Sequence, residues 1–388
     1  MHRIIESYLS FFIDKSNFDL FSKEDLNFIS YCLLHKEERE NDIRDQWGNW
    51  DFPYTSFNFQ KPYLDEFIIN KLSQNKIRQK NIWGEGKRFA IHISHDVDFV
   101  SENDPKILNR NLVKRKKFKQ VSKAELLSFY KNNFFKKEIN SDSVWNCFDR
   151  LMQELQKLNF ISTFYFFSRP SPDNIHLFDC DYLFSDRVKY FNSFMTVSEM
   201  IRKIKSQGFE IGLHTSYNTF NDSRLLIEQK VALENIIQAQ VNSTRQHWLH
   251  YDINSTPVVQ KKCQIKLDST LGFNRNVGFR VGTCFPYYLS DKDYNFLELI
   301  ELPMILMDGA LFATNSLELD EKFAIKKSFE LLSEVEKVGG CLTINFHPNY
   351  LNMSKWWNTF TAILQEAKVR NAACVNTADI INLMNNLS

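Results

Sequence analysis

The sequence predicts an α/β fold, a barrel of about seven mostly parallel strands with covering helices, joined to a smaller N-terminal domain. Three observations lead there. From Phe89 onward, short β-rich runs alternate with longer amphipathic ones, the pattern of repeated β-α units. Polar clusters containing Asp and His fall where the β-rich runs end. Residues 1–88 break the alternation, which assigns them to a separate N-terminal domain or cap and leaves 89–388 as the barrel.

The first strand is FAIHIS (89–94). After a long insertion, Val144, Trp145, Phe148, Leu151, Met152, Leu155 and Leu158 recur at helical spacing behind the capping residues Ser141 and Asp142, which predicts a helix with one buried face. The strand ISTFYFFS (161–168) comes next, then a helix opened by the capping-box pattern Thr196-x-x-Glu199 and the strand FEIGLH (209–214). A helix over 223–241 leads to three further strands, TRQHWLH (244–250), KLDSTLGF (266–273) and LIELPMILMD (299–308). A helix over 321–338 leads to GGCLTINFH (339–347), and two helical segments flank AACVN (372–376). In the N-terminal part, a helix-like start gives way to the aromatic, loop-like run at 47–67. Trp47, Trp50 and Phe52 are read there as anchors onto the neighbouring domain, ahead of stacking on sugar rings.

Composition narrows the class. Apolar residues make up 43% and charged residues 24% of 388, which excludes general disorder. A net charge of +1 gives no global attraction to nucleic acid or membrane. Seven scattered Cys without a C-x-x-C pair indicate neither a disulfide framework nor a Cys-type zinc site, and fit a reducing compartment. Glu6 and Asp14 interrupt the first apolar run, and no stretch approaches the roughly 20 apolar residues of a spanning helix. The expected location is cytoplasmic.

The chemistry lies in three clusters: His95-Asp96-Val97-Asp98, His214-Thr215-Ser216-Tyr217-Asn218 and His347-Pro348. Strand ends on one face of a β/α barrel converge on one pocket. Positions i and i+2 of a strand share a face, so Asp96 and Asp98 can point into it together. Two carboxylates held that close repel unless a cation neutralises them. A divalent metal does so with one Asp and a His as ligands, leaving the other Asp as a base toward metal-activated water. A His on another strand, His347, is suited to protonate a leaving amine. Strand-end His-Asp pairs also commonly bond only loop backbone, but the coincidence of three clusters favours chemistry.

SHDVD (94–98), GFEIGLHTSYN (208–218), RQHW (245–248), LDSTLGF (267–273) and LTINFHP (342–348) resemble, in order, the five motifs of NodB-type polysaccharide deacetylases, the carbohydrate esterase family four enzymes. The likeness covers about 89–380 and is to the variant branch with H-D-V-D and R-Q-H motifs, often found with surface-polysaccharide genes. It implies a distorted (β/α)7-type barrel and one divalent metal, with zinc favoured. It makes Asp96 the general base, Asp98 and His214 metal ligands, and His347 the acid. Asn218 stands where a second ligand His belongs, so His247 is the replacement, with Asn218 or water as alternatives. Arg245 matches the arginine that orients the base, Arg280 being a rival, and Asp268 matches the carboxylate that contacts this arginine or tunes the acid. The implied activity is hydrolysis of an N-acyl group, N-acetyl first, from an amino sugar in surface-polysaccharide biosynthesis. Alternatives are N-deformylation or another amide hydrolysis on the same fold, and a non-catalytic carbohydrate-binding protein that has lost its metal.

The insertion at 106–137 carries eleven Lys or Arg against one acid, Glu125. At the rim of a barrel such a surface suits the phosphate of a nucleotide- or lipid-linked sugar, or an anionic membrane surface, which would place the protein at the periphery of the inner membrane. A solvated lid is the competing reading. Nucleic acid is not expected, because the basic run is confined to one insertion.

Overall fold

The computed structural model describes residues 2–41, 43–45, 47–50, 55–100, 105–120, 145–171 and 173–387. Strand β1 (Ala90–Val97) is buried along its whole length, as a strand covered on both faces must be. It pairs in parallel with β2 (Thr163–Phe167), β11 (Cys341–Asn345) and β12 (Ala373–Val375). Beyond β2 the sheet continues through β5 (Glu210–His214), β6 (Ser243–Arg245), β7 (Leu267–Asp268) and β9 (Phe296–Glu301), each parallel to the last. Strand β8 (Tyr287–Ser290) closes that edge antiparallel to β9, and β10 (Leu306–Met307) adds to β11 in parallel at the other. The result is the expected α/β architecture, a largely parallel sheet curled into a distorted barrel. A separate hairpin, β3 (Arg187–Tyr190) and β4 (Ser193–Thr196), lies off this sheet.

The helices follow their sequence signals closely. Trp145–Leu158 covers the predicted amphipathic segment, although Ser141, Asp142 and Val144 lie outside the described residues. The helix Val197–Ser206 opens with the Thr196/Glu199 capping box. Glu321–Val338 begins where the Asp320 side chain accepts from Phe323 N and ends at Gly339 in the left-handed conformation, φ 72°. The helix expected over 223–241 instead spans Ser223–Ile237, because Gln238 turns left-handed.

Three strands are shorter than expected. TRQHWLH is strand only to Arg245, after which Trp248 and Leu249 take positive φ values of 58° and 50°. Of KLDSTLGF only Leu267–Asp268 pairs. LIELPMILMD is two strands with Pro303 between them, since proline supplies no N–H to a ladder. The hairpin β3–β4 and the antiparallel β8 were not anticipated. The hairpin turn at Phe191-Asn192 has positive φ at both residues, as two-residue hairpin turns commonly require.

In the N-terminal segment, the Phe11 and Phe12 rings lie 5.5 and 4.6 Å from that of Phe285. Asp65, in the helix Tyr63–Gln74, accepts from Cys284 N at 2.9 Å and from the Tyr8 hydroxyl. The apolar side chains of this segment join those of the barrel in one continuous buried cluster. Trp50 is buried with the Arg280 guanidinium over its ring, while Phe52 lies outside the described residues. No helix among the described residues is long and apolar enough to cross a membrane.

Arg280 is buried against Glu38 at 2.7 Å and donates to the Gly272 carbonyl at 3.0 Å. Burial alone would raise the Glu38 carboxyl, but Arg280 and His35 outweigh it and lower it to about 2. Glu38→Ala leaves the guanidinium buried and uncompensated and should cost about 3–5 kcal/mol, read from denaturant unfolding. Because the folded-state value is depressed from 4.5 to about 2, this contribution is full above the ordinary carboxylate range and is lost as pH falls through about 2.

Candidate metal centre

The parallel register brings the polar clusters to one end of the barrel. Asp98 lies one residue past β1, and His214 is the last residue of β5. His247 follows β6 by two positions, and His347 follows β11 by two. Asp98 Oδ1 lies 3.2 Å from His214 Nε2 and 3.6 Å from His247 Nε2, while Asp98 Oδ2 lies 3.7 Å from His347 Nε2. The three imidazoles outweigh the effect of burial and hold the Asp98 carboxyl well below its usual range.

His214 Nδ1 is 3.0 Å from the Arg245 carbonyl oxygen. A carbonyl only accepts, so Nδ1 carries hydrogen and the neutral ring presents a lone pair at Nε2. That atom is buried without a hydrogen-bond partner, facing a carboxylate oxygen that is also electron-rich. Donor atoms of Asp98, His214 and His247 all lie within 4.8 Å of one another. One carboxylate and two imidazoles, with one ring oriented by a backbone carbonyl, fit a divalent cation such as zinc. Asn218 is exposed on the turn Tyr217–Asn221, whereas His247 is buried and faces Asp98.

Asp96 points to different partners. Its Oδ2 accepts from Asn345 Nδ2 at 2.8 Å, and its backbone N–H donates to Asn345 Oδ1 at 3.1 Å. Its Oδ1 lies 3.5 Å from Arg245 Nη1 and makes no hydrogen bond. Arg245 is fully buried, with Nη2 3.1 Å from both Ser94 Oγ and Ser269 Oγ and the guanidinium over the Tyr165 ring. Arg245, not Arg280, therefore stands beside Asp96.

The carboxylate on His347 is one that sequence reasoning missed. Asp308, the residue after β10, accepts from His347 Nδ1 at 2.6 Å and from its backbone N–H at 2.9 Å. Burial would lower the His347 value, but Asp308 and Asp98 outweigh it and raise it to about 10. Asp268 is engaged elsewhere, accepting from Thr244 Oγ1, Gln260 Nε2 and Thr270 Oγ1 at 2.9, 2.6 and 2.9 Å. Its position at the end of β7 gave no sign that the neighbouring threonines and glutamine would enclose it. His92 and His95 are the bland kind of strand histidine, each with Nδ1 bonded to a carbonyl, of Val375 and Phe346.

Aromatic rings border the centre. Trp248, next to His247, is 41% exposed and stacks on Trp47 with centroids 5.7 Å apart and planes 15° apart. Phe178 lies 5.3 Å from Trp248 and 5.2 Å from Tyr217. In the basic insertion, the helix Pro105–Lys117 turns Arg110 onto Asp186 and Lys114 onto Asp181. Arg115, Lys116 and Lys119 are exposed, and the part of the insertion from 121 to 137 lies outside the described residues.

No family model matches the chain, and no curated protein sequence does. Among solved structures, a Mycobacterium smegmatis protein assigned to the polysaccharide deacetylases superposes with a TM-score of 0.52 at 17% identity, over 78% of this chain and 92% of that one. A Pseudomonas aeruginosa PAO1 protein with the same assignment gives 0.51 at 12% identity, over 81% and 97%. The Puue allantoinase gives 0.50 at 10% identity, over 79% and 94%. These likenesses show a shared fold, the barrel of the polysaccharide deacetylases.

The Asp308 contact makes a direct expectation. In the metal-free protein, the His347 ring should titrate near 10 by nuclear magnetic resonance, and Asp308→Asn should move that titration toward 6.5. A His347 that titrates at its ordinary value in both proteins would remove Asp308 from this role. The sign is that of a raised value, so the stability supplied by this pair is full below the ordinary histidine range and is lost as pH rises through about 10.

Proposed function

We propose that this protein is a metal-dependent amide hydrolase that removes an N-acyl group, first of all N-acetyl, from an amino sugar. One observation carries the reading. A carboxylate and two imidazoles suited to a cation, Asp98, His214 and His247, adjoin a carboxylate paired with arginine, Asp96 and Arg245, and an imidazole paired with carboxylate, His347 and Asp308. A degenerate binding protein has no need of all three units.

A divalent ion held by Asp98, His214 and His247 supplies Lewis acidity, making water easier to deprotonate and an amide carbonyl more electrophilic. Asp96 takes the proton from the attacking water, with Asn345 holding Oδ2 and Arg245 beside Oδ1. His347, kept protonated by Asp308, donates from Nε2 to the departing amine. In this reading Asp268 supports the strand that carries it, and contacts no reacting group.

Substrate class rests on the fold and on the aromatic rim. Trp248 and Trp47 offer a flat apolar surface beside the centre, suited to the face of a sugar ring. The proposed setting is surface-polysaccharide biosynthesis inside the cell, with residues 1–88 as a cap on the barrel. For a nucleotide- or lipid-linked sugar, or an anionic membrane surface, Arg115, Lys116 and Lys119 are among the exposed cations of the described insertion that would meet phosphate. Arg110 and Lys114 are already committed to internal carboxylates.

Elemental mass spectrometry of protein purified without chelators should give about one zinc or similar ion per chain, lost in Asp98→Ala and in His247→Ala. Asp96→Asn should keep the metal and the fold while lowering release of free amine from N-acetylated amino sugars by about 10²–10⁴-fold. A protein that cannot be loaded with any divalent ion, or an Asp96→Asn variant of unchanged activity, would overturn the mechanism.

A further inference from the structure

We propose that a second aromatic platform, Tyr350 and Trp356 backed by Phe312, holds the sugar that departs with the amine. The inference rests on the hydrolase reading above, in which His347 is the acid, and assigns a binding site on that side of the centre. The Tyr350 ring lies 6.0 Å from the His347 imidazole with planes at 68°, and 5.7 Å from the Trp356 ring. Trp356 in turn lies 4.3 Å from Phe312. Phe312 is buried, Trp356 is partly buried and Tyr350 is 37% exposed, so the three rings rise from the core to an open face.

Each ring stands on an element tied to the acid and its carboxylate. Tyr350 sits in the turn Pro348–Asn352 that directly follows His347, and its backbone N–H donates to the His347 carbonyl at 3.1 Å. Phe312 ends the short helix that Asp308 opens, Asp308–Phe312. Trp356 lies in the first turn of the helix Ser354–Val369, which follows the same turn. Lys355 Nζ lies 4.9 Å from the centre of the Phe312 ring and 4.6 Å from that of Trp356, a cation over ring faces that holds the two together. The platform and the proton donor are therefore fixed by the same stretch of chain.

The chemistry says which part of a substrate belongs there. An acid must come within about 2.6–3.2 Å of the nitrogen it protonates. In an N-acylated amino sugar that nitrogen is bonded directly to a ring carbon, so the sugar begins one bond beyond the reach of His347. A pyranose shows an apolar C–H face that packs on an aromatic ring while its hydroxyls stay in water, and Tyr350 and Trp356 offer such a surface. The Trp47–Trp248 surface adjoins His247, which faces Asp98 Oδ1, whereas His347 faces Oδ2. It is thereby left for a neighbouring ring of a longer glycan.

The test is calorimetric titration of the full-length protein with the β-1,4-linked tetramer of N-acetylglucosamine, in the Asp96→Asn background to slow turnover. Release of amine by the protein without that substitution is followed in parallel. Tyr350→Ala should raise Kd about tenfold, and Tyr350→Phe should restore the affinity, because the ring and not the hydroxyl makes the contact. Unchanged affinity in Tyr350→Ala, an equal loss in Tyr350→Phe, or a protein that does not bind the tetramer overturns the proposal. Amine release together with unchanged affinity in Tyr350→Ala leaves the hydrolase reading standing without the platform. Binding that Tyr350→Ala weakens and Tyr350→Phe restores, with no amine released, keeps the platform and counts against the hydrolase.

Discussion

A single guanidinium buried in the barrel ties the candidate site together. Arg245 has no exposed surface, and its donors go to Ser94 and Ser269, with Asp96 Oδ1 close by. Its backbone carbonyl accepts from His214 Nδ1 and from Thr215 N. One residue therefore supplies the positive charge beside the carboxylate of β1 and also sets which nitrogen of His214 faces Asp98. A buried cation is tolerable only where its charge and hydrogens are met. Here Ser94 and Ser269 accept from Nη2, and the nearby negative charge is that of Asp96, the carboxylate the proposed chemistry uses. Lysine lacks the planar guanidinium that reaches two serines, lies over the Tyr165 ring and keeps its charge beside Asp96.

Much of this arrangement was legible in the sequence, because strand ends are readable. Asp96, Asp98, His214 and His347 stand at or just past the ends of β-rich runs, and parallel pairing brings those ends together, whereas Arg245 and His247 lay inside the run TRQHWLH and were picked out by the family resemblance. The capping box at Thr196 and the helix Glu321–Val338 were equally plain, since capping and amphipathic spacing are local properties. Asp308 closes the run LIELPMILMD and so stood at an expected strand end, but a lone aspartate without a histidine beside it gave no sign of its pairing with His347. Trp248 and Leu249 adopt left-handed backbone that no apolar residue advertises, so the strand through RQHWLH looked longer than it is.

Charge told a similar story at the rim. As a string, residues 106–137 are a dense run of cations. In the folded chain Arg110 and Lys114 face inward, paired with Asp186 and Asp181. Such pairing is invisible to a count of charges because its acidic partners lie some seventy residues away in sequence. The aromatic residues near position 50 divide in the same manner, with Trp50 buried under Arg280 and Trp47 stacked on the exposed Trp248.

The site is built from two separable stretches of chain. The cation donors and the arginine-paired carboxylate come from β1, β5 and β6, whereas Asp308 and His347 follow β10 and β11, close to one another and distant in sequence from the rest. The second pair is held together internally, aspartate to imidazole and aspartate to backbone N–H, and meets the first only where Asp98 Oδ2 comes within 3.7 Å of His347 Nε2. A lineage could therefore lose the proton-donating half by mutation while keeping a barrel that grips an ion and a ligand. Inheritance of the fold alone is thus a poor guide to whether any given descendant still turns over its substrate.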